Sequence, residues 1–176
     1  DASGSYVWAV QIGGAGAESA NALTVDGSGD LLATGNFSGT VDFDPGASVS
    51  NLTSAGSSDI FVVKLTPAGA HTWSRNMGGT SSDIPSSIVT DAAGGVYTTG
   101  YFNGTADFDP GASVFGVTAG TGNQEGFVSK LNSAGNFAWA FRTESIPGGE
   151  TEGVAVALDA AEDILIAGWF EFTVDF

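Results

Sequence analysis

Hydrophobic and polar residues alternate along short segments of this chain, and Gly, Asp, Ser or Pro residues separate the segments. Four such segments follow one another within residues 15–79: NALTVD, LLATGNF, IFVVKL and HTWSRNM. Runs of roughly four to eight residues rich in Val, Thr, Phe and Trp, bounded by turn residues, are typical of β-strands. No window shows the helical period of about 3.6 residues. The pattern predicts an all-β protein built from units of four antiparallel strands.

The strand pattern recurs along the chain at a spacing of about 65 residues. GTVDFDPGASV (residues 39–49) and GTADFDPGASV (residues 104–114) differ at one position, and Trp8, Trp73 and Trp139 keep the same spacing. A repeated four-stranded unit predicts β-propeller-like blades. About two and a half repeats are predicted, incomplete at both ends: residues 1–14 as the last strand of a preceding blade, 15–79 as blade 1, 80–145 as blade 2, and 146–176 as the first half of blade 3. These are called units 1, 2 and 3 below.

Each unit is longer than the roughly 40–50 residues of common propeller blades. The surplus lies between the second and third strands, in TVDFDPGASVSNLTS. We expect an additional small hairpin or an extension of the second strand, with DPGA as its turn, because proline fixes φ and aspartate caps such turns. Pro85 and Pro147 are expected in loops before a first strand, where a missing N–H does least harm.

These motifs resemble the bacterial SBBP-type β-propeller repeat of large secreted and surface proteins. The matching stretches are VDGSGDLLATGNFSGTVDFDPG, DIFVVKLTPAGAHTW and MGGTSSDIPSSIVTDAAGGVYTTG. The resemblance covers nearly the whole chain and implies closed rings of several blades that act as scaffolding or adhesion modules. Unit 3 departs from the pattern at RTESIPGGETEG. Because open sheet edges expose unpaired backbone groups, we expect an excerpt of a longer array, or copies that pair their edges.

The composition is strongly acidic. Twenty Asp and Glu residues face four Lys and Arg, for a formal net charge of −16. Such a surface repels nucleic acid and anionic lipid and favours cationic partners. No apolar run approaches the ~18–20 residues of a membrane span, so no membrane insertion is expected. The absence of cysteine excludes disulfides and thiolate chemistry.

The repeated acidic turn is the candidate metal site. Asp42 and Asp44 in unit 1, and Asp107 and Asp109 in unit 2, have D-x-D spacing, and Asp175 begins a third copy. Residues two apart on a strand share a face, and Ca²⁺ prefers carboxylate and carbonyl oxygens. The alternative is that these carboxylates only cap the turn through backbone hydrogen bonds.

Other acidic residues are interpreted as structural. DGSGD (residues 26–30) looks like a calcium loop but is better explained as a hairpin turn, because its second acid is not repeated in unit 2. Glu18, Asp83, and Glu150 or Glu152 precede the first strands. Equivalent acids on a ring lack the unlike environments of a catalytic carboxylate pair, so a structural turn is favoured.

The remaining candidates are also interpreted as structural. His71 has no cysteine or second histidine for a zinc site. The three repeated tryptophans are expected to fill the space between blades, with carbohydrate stacking as the alternative. Lys64 and Lys130 are expected to lie along a sheet face with their charged ends in water.

The sequence predicts a non-enzymatic structural or interaction module of a secreted or cell-surface bacterial protein, able to self-assemble through open sheet edges into a layer or filament. Its expected partners are neighbouring repeats or copies of itself. One alternative is a calcium-dependent module that binds carbohydrate or surface proteins. A second is a propeller hydrolase or lyase built on the asymmetric cluster at residues 142–152.

Overall fold

The computed structural model describes residues 3–120, 124–145, 149–171 and 174–175. Antiparallel sheets and turns make up these residues and none lies in a helix, which confirms the predicted all-β fold. No helix that could cross a membrane occurs in the described ranges. The strands are β1 (Gly13–Gly14), β2 (Glu18–Val25), β3 (Leu31–Phe37), β4 (Thr40–Asp42), β5 (Asn51–Thr53), β6 (Asp59–Leu65), β7 (His71–Gly79), β8 (Ile84–Thr90), β9 (Val96–Asn103), β10 (Thr105–Asp107), β11 (Gly116–Thr118), β12 (Gln124–Leu131), β13 (Phe137–Arg142), β14 (Glu144–Ser145), β15 (Thr151–Leu158), β16 (Ile164–Phe170) and β17 (Val174–Asp175).

The four predicted strands of a unit form one sheet. Unit 1 contributes β2, β3, β6 and β7 in sequence order, and unit 2 repeats this order with β8, β9, β12 and β13. In unit 3, β15 and β16 pair as the first two strands. Residues 1–14 were predicted as the last strand of a preceding blade, but within residues 3–14 only Gly13–Gly14 form a strand, β1. The unit boundaries at residues 15, 80 and 146 stay predictions.

The first strand of each unit is irregular at the same place. The register shifts between residues 20 and 22 in β2, between 85 and 87 in β8, and between 153 and 155 in β15. Pro85 lies inside β8, so the prediction that it lies in the preceding loop is wrong. β8 is an edge strand with a bulge at this point, and both features tolerate proline. Pro147 lies outside the described residues.

The surplus of each unit is a hairpin that leaves its own sheet. β4 pairs with β5, and β10 pairs with β11, which confirms the predicted hairpin. The two hairpins also pair with the end of the preceding unit, β4 with β1 and β10 with β7, and in unit 3 the short strand β17 pairs with β14. Each insertion thus adds to the outer strand of the previous unit and ties consecutive units together.

Glycine makes this strand addition possible. A Cβ on Gly14 would lie 2.6 Å from the carbonyl oxygen of Thr40, and a Cβ on Gly79 would collide with the carbonyl oxygen of Thr105. Only a residue without a side chain allows the hairpin to approach this closely. The GG pair after each of the first two repeated tryptophans is therefore the place where the next hairpin docks.

The hydrophobic core lies between successive sheets. One buried cluster joins β3, β6 and β7 to β8, β9 and β12, and a second covers the opposite face of the first sheet. The phenylalanine between the two aspartates of each acidic turn enters this core. The two aromatic clusters repeat each other, with Phe43 packed 5.3 Å from Phe37 and 4.9 Å from Phe61, and Phe108 packed 5.6 Å from Phe102 and 5.0 Å from Phe127.

Candidate functional site

The acidic turn of unit 1 is held by its own carboxylates. Asp42 Oδ1 accepts hydrogen bonds from the backbone N–H groups of Asp44 (3.0 Å) and Ser50 (2.8 Å). Asp44 Oδ1 accepts one from the N–H of Gly46 at 2.7 Å. The bonds from Ser50 and Asp44 lower the pKa of Asp42 below its ordinary value. This carboxylate is therefore charged at neutral pH and closes the hairpin.

The acidic turn of unit 2 has the same geometry. Asp107 Oδ1 accepts hydrogen bonds from the N–H groups of Asp109 (3.0 Å) and Phe115 (2.8 Å), and Asp109 Oδ1 accepts one from Gly111 (2.8 Å). These bonds show the turn-capping role in both copies. Within the described ranges, no group of three or more His, Cys, Asp or Glu residues could hold a metal. Calcium binding by the four aspartates stays a prediction, and the side chain of Asp175 lies outside the described residues.

The DGSGD turn of unit 1 contains a buried ion pair. Asp26 Oδ1 accepts the N–H groups of Ser28 and Asp30, which confirms the hairpin turn. Lys64 Nζ lies 2.7 Å from Asp26 and 3.2 Å from Asp30. Burial alone would raise the pKa of Asp26, but the bonds from Lys64 and the backbone hold it below its usual value. The prediction that the Lys64 ammonium lies in water is therefore wrong, because the turn supplies its counter-charges.

The corresponding lysine of unit 2 is bound in a similar way. Lys130 Nζ lies 2.9 Å from Asp91 Oδ2 and also bonds the hydroxyl of Tyr97. The hydrogen bond with Tyr97 is the main cause that raises the pKa of Lys130. Lys130 is partly exposed, whereas Lys64 is buried. Both lysines thus fasten the first turn of a unit to its third strand.

The repeated tryptophans connect neighbouring units. Trp8 Nε1 donates to the carbonyl oxygen of Pro67 at 2.9 Å, and Trp73 Nε1 donates to that of Ser133 at 3.2 Å. In each case the tryptophan ring covers a turn of the following unit. Trp139 stacks on Phe141 at 5.4 Å between ring centroids. Trp8 and Trp73 therefore have like surroundings and fill the space between units, as predicted.

His71 lies at the start of β7 and is partly buried. Its Nε2 atom is buried and has no hydrogen-bond partner. The interpretation of His71 as structural stays a prediction.

The first junction, between units 1 and 2, contains two buried acids, Asp59 and Asp83. Asp83 Oδ2 accepts the N–H of Gly79 at 2.7 Å, and Oδ1 accepts that of Asn103 at 3.3 Å. Asp59 Oδ2 accepts the N–H of Ala55 at 2.9 Å, while its buried Oδ1 has no partner. Burial, with a smaller contribution from the charge of Asp59, raises the pKa of Asp83 to about 7.

Sequence reasoning placed Asp83 at a structural turn but missed Asp59. The signal was available, because Asp59 opens β6 and Glu125 lies at the same place in unit 2, before GFVSKL. An acid repeated next to a buried apolar strand indicates a carboxylate that the fold covers.

The second junction, between units 2 and 3, has a different set of charges. Glu125 is fully buried, and its Oε2 lies 2.6 Å from Arg142 Nη1. Glu125 Oε1 accepts the N–H of Gly120 at 2.8 Å. Thr151 occupies the place of Asp83 and its hydroxyl accepts the N–H of Gly126 at 2.7 Å. The expectation that Glu150 or Glu152 stands in for Asp83 is therefore wrong.

The strand register explains this correction. Pro85 pairs with Gly100, and Gly153 pairs with Gly168, so the residue two places earlier is Asp83 in one unit and Thr151 in the other. Glu152 instead accepts hydrogen bonds from Ser86 Oγ (3.2 Å) and Trp169 Nε1 (3.1 Å).

A cleft of about 280 Å³ lies beside Glu152, between the second sheet and the β15–β16 pair. Its lining is mainly apolar and includes Phe127 and Trp169. Arg142 and Glu152, the ends of the asymmetric cluster at residues 142–152, have separate partners: Arg142 pairs with Glu125, and Glu152 bonds Trp169. The structure thus does not bring these two side chains together as an acid–base pair.

Comparison with known proteins gives a distant relative. The chain is 24% identical over 195 aligned residues to the "Uncharacterized WD repeat-containing protein L264" of Acanthamoeba polyphaga mimivirus. The match covers 97% of this chain, which spans 13% of that protein's length. No family model matches the chain. WD repeats are four-stranded propeller blades, so the match agrees with the four-stranded sheets described above.

Proposed function

We propose that this chain is a non-enzymatic β-propeller-type repeat module for protein interaction, belonging to a secreted or cell-surface bacterial protein. The observation that carries the proposal is the strand addition between units, in which the hairpins of units 1 and 2 pair with the end of the preceding unit. This contact uses backbone hydrogen bonds and a GG docking place, so it suits serial assembly of similar units. The resemblance to SBBP-type repeats and the WD-repeat relative support the same function.

The outer edge of β16 is the surface through which we propose association. In units 1 and 2 the equivalent strands, β3 and β9, are covered by β6 and β12. In the part of the chain that the structure describes, β16 pairs with β15 alone, and Leu165 on β16 is 56% exposed. An apolar strand with an open edge is a template for another strand. A strand like β6, supplied by another repeat, is its proposed partner.

Size-exclusion chromatography with light scattering tests this proposal. We expect the wild-type chain to associate as its concentration rises, and Leu165→Lys to reduce association because charge on an edge strand opposes pairing. Val49→Lys, at an exposed position in the acidic turn, is the matched control and should behave as wild type. A wild-type chain that remains monomeric at every concentration would count against the proposal.

Calcium-dependent ligand binding is the second candidate, with carbohydrate or a surface protein as ligand. It is favoured by the matching hydrogen bonds of the two acidic turns and by the lowered pKa of Asp42, which leaves a charged carboxylate at the surface hairpin. Ca²⁺ prefers such oxygens.

A further inference from the structure

The two carboxyl groups of the first junction both lie against one glycine, Gly78. A Cβ on Gly78 would lie 2.7 Å from Asp59 Cγ and 2.9 Å from Asp83 Oδ2. Both aspartates are almost completely buried, at 1% and 0% exposure. Two ionised carboxylates cannot remain side by side in such a place without a compensating cation or proton.

Among the residues that the structure describes, no cationic side chain lies beside this pair. Arg75 on β7 donates to the carbonyl oxygens of Gly135 and Ala134, and His71 lies at the far end of the same strand. Asp107, opposite Gly78 in the ladder, binds N–H groups of its own turn. Burial raises the pKa of Asp59, and the side chain of Asn76 lowers it by a hydrogen bond, but this carboxamide is neutral. Among the described groups, only Asp59 acts by charge on Asp83.

The second junction shows what the first one lacks. Arg142 follows Trp139 by three residues, as Asn76 follows Trp73, and Arg142 neutralises the buried Glu125. The second acid is absent there, because Thr151 replaces Asp83. One junction therefore carries a built-in cation and one acid, while the other carries two acids and a carboxyl oxygen without a donor.

We propose that Asp59 and Asp83 form a proton-binding site in which the two carboxyls share one proton taken from water. The proton lies between the side chains and supplies the donor that Asp59 Oδ1 lacks. The pair then carries one negative charge instead of two, and the junction between units 1 and 2 is closed by a hydrogen bond. Loss of the proton leaves two buried like charges, so the same junction weakens in alkaline solution.

The direction of the pH effect follows from linkage. Because burial raises the pKa of Asp83 to about 7 from the ordinary value of 3.8, the folded chain binds this proton more tightly than the unfolded chain. Its contribution to stability is complete below about pH 4 and is lost as the pH rises through about 7. Over that interval, the loss of this one proton lowers the folding equilibrium constant by up to about tenfold for each unit by which the pH rises.

Urea unfolding of the complete chain between pH 5 and pH 9 tests the site. We expect the wild-type folding constant to fall between pH 5 and 7 and to level off near pH 8, and Asp83→Asn and Asp59→Asn to flatten this slope. Asp163→Asn, at an exposed turn position, is the control and should keep the wild-type slope. A ¹³C carboxyl titration of the folded wild type is the second measurement, and should show one aspartate that titrates near pH 7.

Two results would overturn the proposal. One is a wild-type titration in which every aspartate ionises near pH 4, which would hold even if both variants failed to fold. The other is an alkaline loss of stability that added Ca²⁺ abolishes in the wild type but not in Asp83→Asn, because the natural occupant would then be a metal ion.

Discussion

The two junctions of this molecule both bury an acid, but different residues surround its charge. Each buries an acid at the start of a third strand, Asp59 in one and Glu125 in the other. The second junction neutralises its acid with Arg142, whereas the first adds a second acid and has no cationic side chain among the described residues. The comparison shows that a repeated backbone can keep its strand order while the charged side chains at its junctions differ. The stability of the first junction should therefore depend on pH near neutrality, where burial places the pKa of Asp83 at about 7.

Removal of the built-in cation should have the largest effect. Arg142→Met leaves Glu125 buried without its ion-pair partner. We expect the free energy of unfolding to fall by about 3 kcal/mol, at the lower end for a buried ion pair because the Arg142 side chain is partly exposed. Urea denaturation at pH 7 measures this. The double variant Arg142→Met, Glu125→Leu should recover most of the loss, because an apolar pair can replace a buried ion pair. A double variant as unstable as the single one would show that packing, and not charge, explains the contact.

A cation transplanted into the first junction should have a smaller effect of opposite sign. Asn76→Arg places a guanidinium beside Asp59, as Arg142 stands beside Glu125. We expect a gain of about 1–2 kcal/mol at pH 8, where the shared proton is largely lost and the pair carries two charges, and a smaller gain at pH 5, where the pair carries one. Unfolding curves at the two pH values provide the measurement, with Asn76→Gln as the neutral control. An equal gain at both values would mean that the two junctions do not differ in the way described.

Much of the fold could be predicted from the sequence because strand signals are local. Alternating runs such as LLATGNF and IFVVKL match β3 and β6 to within one residue, and the recurrence of four such runs predicted the four-stranded sheet. The partner of each inserted hairpin could not be predicted, because it depends on a contact with the previous unit. Gly79 lies where the hairpin of unit 2 docks, but glycine is also common in turns, so its presence alone does not predict this contact.

The sites were harder to predict than the fold, because burial cannot be read from residue type alone. Lys64 was expected in water because lysine usually reaches solvent, yet the turn before β3 carries two acids that bind it. Asp83 was recognised as repeated, but its neighbour Asp59 lies 24 positions earlier in the printed sequence, and only the sheet packing brings them together across Gly78. Thr151 escaped notice because it is not an acid.

Substitutions in the acidic turns should have the smallest effect on stability. Here units 1 and 2 should lose the same free energy of unfolding. The backbone hydrogen bonds account for the turn without a metal, so we expect Asp42→Ala and Asp107→Ala each to cost about 1 kcal/mol, by leaving N–H groups without an acceptor. The two losses should be equal, unlike those at the junctions, because both turns have the same bonds. We also expect EDTA to leave the melting temperature unchanged. A melting temperature that rises with Ca²⁺ in the wild type, and not in the double variant, would instead support the calcium-dependent candidate, since a ligand bound only to the folded state stabilises it by mass action.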